Sequence, residues 1–160
     1  MAETLGSLLD KLTIKAIRGV HLKKMLDGKS VKFPKSELKK KLQILKEQKV
    51  SLLKEIDEFI EGVLVGRIKV LRDEKLKLYN DPNLIGRVSN INSISKAMDV
   101  LVKKNLELWN LEDEARREDV PLSSIGSIKK KIDVVNQQRC DLIDDIDELF
   151  SQKLKLLREK

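Results

Sequence analysis

Apolar residues recur at helical spacing along most of this chain. Leu5, Leu8, Leu9, Leu12, Ala16, Ile17 and Val20 fall three or four positions apart, the pattern of an amphipathic helix from Thr4 to Leu26. Thr4 is placed to cap its start. Asp27-Gly28 is placed to end it, since glycine accepts the left-handed conformation a helix terminus often needs. Pro34 follows in the link GKSVKFP, and Ser36 is the expected cap of the next helix.

That second helix carries a seam of Leu38, Leu42, Leu45, Lys49, Leu52, Ile56, Phe59 and Val63. Its steps alternate between four and three, as in helical bundles and coiled coils. The pattern runs on towards Tyr79, where Asn80-Asp81-Pro82 would stop it. Unbroken, such a helix would be roughly 65 Å long at about 1.5 Å per residue. Gly62 and Gly66 lie inside it and mark either a bend or close packing.

Residues 83–92 read as a linker. A third helix is expected from Ser93 to Arg117, with Ile94, Met98, Leu101, Asn105, Leu108, Glu112 and Ala115 on its seam. The turn EDVPLSSIG carries Pro121 and Gly126. A fourth helix is expected from Ser127 to the C-terminal tail, along Ile128, Ile132, Val135, Arg139, Leu142, Ile146 and Leu149.

The second and fourth helices repeat one another. Lys39–Phe59 aligns without gaps on Lys129–Leu149, pairing Gln48 with Gln138, Leu52 with Leu142, and Ile56-Asp57-Glu58 with Ile146-Asp147-Glu148. The first helix aligns more weakly on the third, with Asp10 against Asp99, Leu12 against Leu101 and Lys15 against Lys104. The expectation is an all-α fold: an antiparallel four-helix bundle built from two pseudo-repeated helical hairpins, with long second and fourth helices. It is read as one domain over residues 1–160, with hairpins at about 4–80 and 93–160. The tails of the two long helices, including Val63, Ile68, Leu71, Leu76, Leu154 and Leu157, are the expected partner-facing surface, for a homodimer or another protein.

Composition sharpens this picture. Aromatic residues make up 3% and charged residues 37% of 160 positions, with 7 glycines and 3 prolines, which favours helices over a sandwich or barrel. The net charge is +7, but the lysines alternate with Glu and Asp along the helices, as on a solvated surface. No aromatic platform or nucleic-acid motif accompanies that charge, so nucleic acid is not the expected partner. RNA binding through the Lys-rich faces is a third reading, behind assembly and small-ligand binding. The single cysteine, Cys140, excludes an internal disulfide framework. The N-terminal residues lack the features of a signal peptide, and no stretch has the apolar length of a membrane span. A cytoplasmic protein that does not engage membrane is expected.

The candidate chemistry lies in the second hairpin. Asn105, Trp109, Glu112, Asp113 and Arg116 share one broad face of the third helix, and Asp133, Asn136 and Arg139 lie on the fourth. The first hairpin has Ala16, Val20 and Lys23 where the second has Asn105, Trp109 and Glu112, and Lys49 where it has Arg139. Two readings stay open. These residues satisfy one another and fix helix register, because an unpaired buried cation is costly. Alternatively they line a pocket for a small anionic or polar ligand, with Arg139 on a phosphate or carboxylate, Asn105 and Asn136 orienting it and Trp109 as a wall. Glu112, Asp113, Asp133, Asp144 and Asp147 offer oxygen atoms to a cation. The only histidine, His21, lies outside the Glu-x-x-His motif of di-iron bundles. No metal and no cofactor are expected. There is no Ser-His-Asp or Cys-His arrangement and no Gly-rich phosphate loop.

The run Asn105-x-x-x-Trp109-x-x-Glu112-Asp113-x-x-Arg116, then Lys129 to Asp133, then Asn136-Gln137-x-Arg139-x-Asp141 and Asp147, resembles a bacterial family known only as a domain of unknown function. Its members read W-H-x-E-D-x-x-R, then K-R-R-I-D-x-x-N-Q-x-R-x-D. Asn110 stands where that family often has His, and Asp144 where it often has Glu. The resemblance implies that the polar face of the second hairpin is a family feature, and it carries no activity with it. The expected function is protein binding or assembly, with a small-ligand binder or enzyme using the polar face as the alternative.

Overall fold

The computed structural model describes residues 3–28, 33–70, 86, 88–119 and 121–159. The fold is all-α, with four helices and no strand among the described residues: α1 (Leu5–Asp27), α2 (Lys35–Leu64), α3 (Ile94–Ala115) and α4 (Leu122–Arg158). They form two compact units. One holds residues 7–69, the other residues 1–6 and 70–160.

In the first of these, α1 and α2 run antiparallel. Lys15 Nζ donates to Gln48 Oε1 at 2.9 Å, and the position of a Gly19 Cβ lies 3.6 Å from Leu45 Cδ2, so the partners on α2 descend as those on α1 rise. The expected α2 seam is buried at Leu38, Leu45, Leu52, Ile56, Phe59 and Val63. On α1, Leu8 and Ile17 are buried, whereas Ala16 and Val20 are exposed despite their places in the apolar pattern. A second apolar row runs down α2 at Val50, Leu53, Ile60 and Leu64, largely exposed.

The ends of α2 depart from expectation. It opens at Pro34, two residues ahead of Ser36, without a side-chain cap bond. It stops at Leu64 rather than continuing through 65–70. Gly66 takes a left-handed φ of 77°, which costs glycine nothing and most residues about 1–2 kcal/mol. The chain then folds back: Ile68 N–H donates to the Gly62 carbonyl at 2.9 Å, and a Cβ on Gly62 would sit 2.6 Å from Ile68 Cδ1. Gly66 is therefore the turn and Gly62 the close approach. The left-handed terminus expected at Gly28 is absent, since that residue ends α1 with an ordinary N–H bond to the Lys24 carbonyl at 3.0 Å. The expected stop at Asn80-Asp81-Pro82, and Leu71 and Leu76 of the expected tail, lie outside the described residues.

In the other unit, α3 packs on α4. The short connection between them makes the pair antiparallel neighbours. Ser93 caps α3, accepting from the Lys96 N–H at 3.2 Å. The turn is clipped by Arg117, whose Nε donates to Asp119 Oδ1 at 2.9 Å. Pro121 then opens α4 six residues ahead of Ser127, with the Ser124 N–H bonded to its carbonyl at 2.8 Å. Gly126 is thus inside the helix. Proline at the start pre-sets a helical entry and loses no donor the helix would use. Ala97 and Leu101 on α3, and Ile128, Val135, Leu142, Ile143, Ile146 and Leu154 on α4, are buried.

Candidate functional site

The polar residues singled out in the second hairpin divide into three settings. Asn105 is buried, at 6% exposure, in line with Leu101 on the apolar face of α3. Trp109, one turn on, is half-buried, with its indole nitrogen out of solvent. Glu112, Asp113 and Arg116 are brought together at the solvent end of α3. Arg116 Nη2 donates to Glu112 Oε2 at 3.1 Å, and Nη1 lies 3.8 Å from Asp113 Oδ1. The Arg116 side chain is 70% exposed. On α4, Arg139 Nη1 donates to Asn136 Oδ1 at 3.1 Å, one turn back on the same helix. Asp133 and Asn136 are exposed and Arg139 half-buried.

Two of the buried acids lie on α4, Asp141 and Asp147, the second of them already named as a possible oxygen donor to a cation. Asp141 accepts from Gln137 Nε2 at 3.0 Å, and Asp147 accepts from the Gly6 N–H at 2.7 Å. Both are buried on α4, two and eight residues beyond Arg139. Their place among Leu142, Ile143 and Ile146 was the available signal, because an Asp inside an apolar stripe must find a donor. Asp119 is held below the usual carboxylate range by its hydrogen bond from Arg117, and Asp99 by its hydrogen bond from Lys103. Among the described residues, no three His, Cys, Asp or Glu side chains cluster as a metal ion would need.

A cleft of about 260 Å³ opens in the first hairpin, between α1 and α2. Ala16, Gly19, Val20, Leu42 and Leu45 make its floor and walls, and Lys15, Lys23, Lys46 and Lys49 stand around it. No carboxylate is among the lining residues. Glu47, between two of the lysines in sequence, is bonded by Gln43 Nε2 at 2.8 Å.

These lining residues occupy the repeat positions of the polar face in the second hairpin. Ala16, Gly19, Val20 and Lys23 correspond to Asn105, Leu108, Trp109 and Glu112. Leu45, Lys46 and Lys49 correspond to Val135, Asn136 and Arg139. In the alignment of the two hairpins, small side chains and lysines in the first thus stand against large or amide-bearing side chains in the second. The signal for the cleft lies in the sequence at Ala16, Val20 and Lys49, which align with Asn105, Trp109 and Arg139 of the second hairpin.

Residues 96–160 match a family model described as "Protein of unknown function (DUF4254)". The match starts in the first turn of α3 and runs to the end of α4, so it takes in the α3–α4 hairpin and every polar candidate on it. The resemblance to a domain of unknown function is borne out at that level. No curated protein and no solved structure matches the chain. Among the described residues, no helix is long and apolar enough to cross a membrane.

Proposed function

We propose that this chain is a helical assembly module that pairs with a second copy of itself through the outward face of α2. The observation that carries this reading is the second apolar row on that helix. Val50 is 67%, Leu53 42% and Leu64 59% exposed, and Ile60 lies between them. With Asp57, they fall at steps of three, four, three and four, the repeat that seats one helix against another. Burying such a row gains about 25 cal/mol per Å² of apolar surface removed from water.

Charge selects the occupant and its direction. Glu47, Lys54 and Glu61 flank the row on one side, alternating in sign. Two copies set antiparallel, with Asp57 of each beside Ile60 of the other, bring Lys54 of each copy to Glu61 of the other. A parallel pair would instead oppose the two Asp57 carboxylates. The surface therefore suits its own antiparallel copy. This moves the expected contact from the tails of the long helices to the middle and end of α2. Of the expected tail residues, Val63 and Leu154 are buried.

Sedimentation equilibrium over a range of concentrations tests the proposal. A reversible dimer is expected, weakened by Lys54→Glu and restored by the pair Lys54→Glu with Glu61→Lys. Replacement of Val50 and Leu53 by Glu should give a folded monomer. A wild-type monomer up to about millimolar concentration, where even weak pairs associate, would overturn it.

A further inference from the structure

We propose that the lysine-lined cleft between α1 and α2 is a binding site for a small organic phosphate, a phosphate monoester carried on a compact apolar body. The site is distinct from the pairing face on α2 and does not depend on it.

Three independent observations meet here. The first is charge: Lys15, Lys23, Lys46 and Lys49 line one cleft without a lining carboxylate. Four lysines lining one small cleft, with Lys15 Nζ bonded to the neutral Gln48 Oε1, make its potential positive and favour an anion. A phosphate monoester, at about −1.5 to −2 near neutral pH, balances them better than a single carboxylate does. Lysine approaches such a group as a point charge from several directions.

The second is the floor. Ala16, Val20, Leu42 and Leu45 are apolar, and Val20 stays 52% exposed. An inorganic ion would leave this surface wet, whereas an apolar body attached to the phosphate would cover it. The volume of about 260 Å³ lies just below the usual range for ligand pockets, roughly 300–1,000 Å³. It suits a single ring or short chain better than a whole nucleotide.

The third is Gly19. A Cβ there would sit 3.6 Å from Leu45 Cδ2, an ordinary contact, so packing does not demand glycine. Glycine inside a helix is destabilising relative to alanine. What its absence of side chain provides is depth. In the second hairpin the corresponding Leu108 and Trp109 put bulk in this place.

Calorimetric titration of the full chain with phenyl phosphate tests the site, with inorganic phosphate and benzoate as comparison ligands. Saturable binding is expected, tighter for phenyl phosphate than for either comparison ligand. Val20→Trp, which copies the second hairpin, should weaken it about tenfold or more, as should Lys46→Met with Lys49→Met, the loss expected when charged hydrogen-bond donors are removed. The lysine pair is exposed, so that variant reports even if the Trp variant misfolds. The dimer-breaking Val50 and Leu53 changes should leave affinity unchanged. Binding that survives both cleft variants, absence of saturable binding, or equal affinity for benzoate or inorganic phosphate would each overturn the assignment.

Discussion

The Gly6 backbone N–H donates to the Asp147 carboxylate at 2.7 Å, across 141 positions of sequence. The first N–H groups of a helix have no partner within it, and α1 has no acidic residue in its own first turn. A carboxylate from α4 fills that role, at the end of the helix where the peptide dipoles favour negative charge. The approach is close because residue 6 lacks a side chain: a Cβ there would overlap the Ile143 carbonyl oxygen and lie 3.1 Å from Asp147 Oδ2.

Asp147→Ala should therefore cost about 1–3 kcal/mol, the range for stranding a buried donor. Gly6→Ala should cost roughly 1–3 kcal/mol by overpacking against backbone that cannot swing away. Both changes break one contact, so urea unfolding of the double variant should show less than the sum of the two losses.

Gly62→Ala presents the opposite case. The added methyl meets the end of the Ile68 side chain rather than backbone. Alanine also favours the helix by about 0.5–1 kcal/mol over glycine. Global stability should thus change by less than about 1 kcal/mol. Ile68 should be displaced, loosening the turn at residues 65–69. Faster tryptic cleavage after Arg67 and Lys69, with an unchanged unfolding midpoint, is the expected result.

The helices and their pairing into hairpins were legible because the apolar period is long and regular. Leu38, Leu45, Leu52, Ile56, Phe59 and Val63 are buried as their spacing implies. The end of α2 was harder to read because the apolar pattern continues past it; one left-handed residue, Gly66, breaks the helix without breaking the pattern. The start of α4 was missed for a related reason. Serines and Gly126 weaken the first turns, but Pro121 fixes the entry. The cleft was the least legible feature. Ala16 and Val20 fit an apolar seam by residue type, and periodicity does not report whether the facing side chains reach far enough to cover them.

The turn between α3 and α4 carries the clearest dependence on pH. Asp119 is held below the ordinary carboxylate range by its hydrogen bond from Arg117, and the pair is fully exposed. With a folded-state value below the unfolded one, the stabilisation is present above the unfolded value near 3.8 and is lost as pH falls through the folded one. Carbon-detected NMR titration should show Asp119 titrating below the ordinary Asp range, and Arg117→Ala should return it there. Added salt should shrink the difference, because exposed charges are screened.

On the polar face of α3, burial separates residues that the sequence places together. Arg116 joins Glu112 and Asp113 in solvent, with its side chain 70% exposed. Exposed pairs of this kind contribute about 0–1 kcal/mol, so Arg116→Ala should scarcely move the unfolding midpoint. Asn105 sits 6% exposed beside Leu101 on the apolar face, where truncating a buried amide costs about 1–3 kcal/mol. Asn105→Ala should therefore destabilise the chain well beyond Arg116→Ala in the same denaturant titration. Equal effects would mean that Asn105 does not hold the interior of this hairpin. The large difference expected would instead make Asn105 the fixed point of the face, with the Glu112, Asp113 and Arg116 cluster left at the surface.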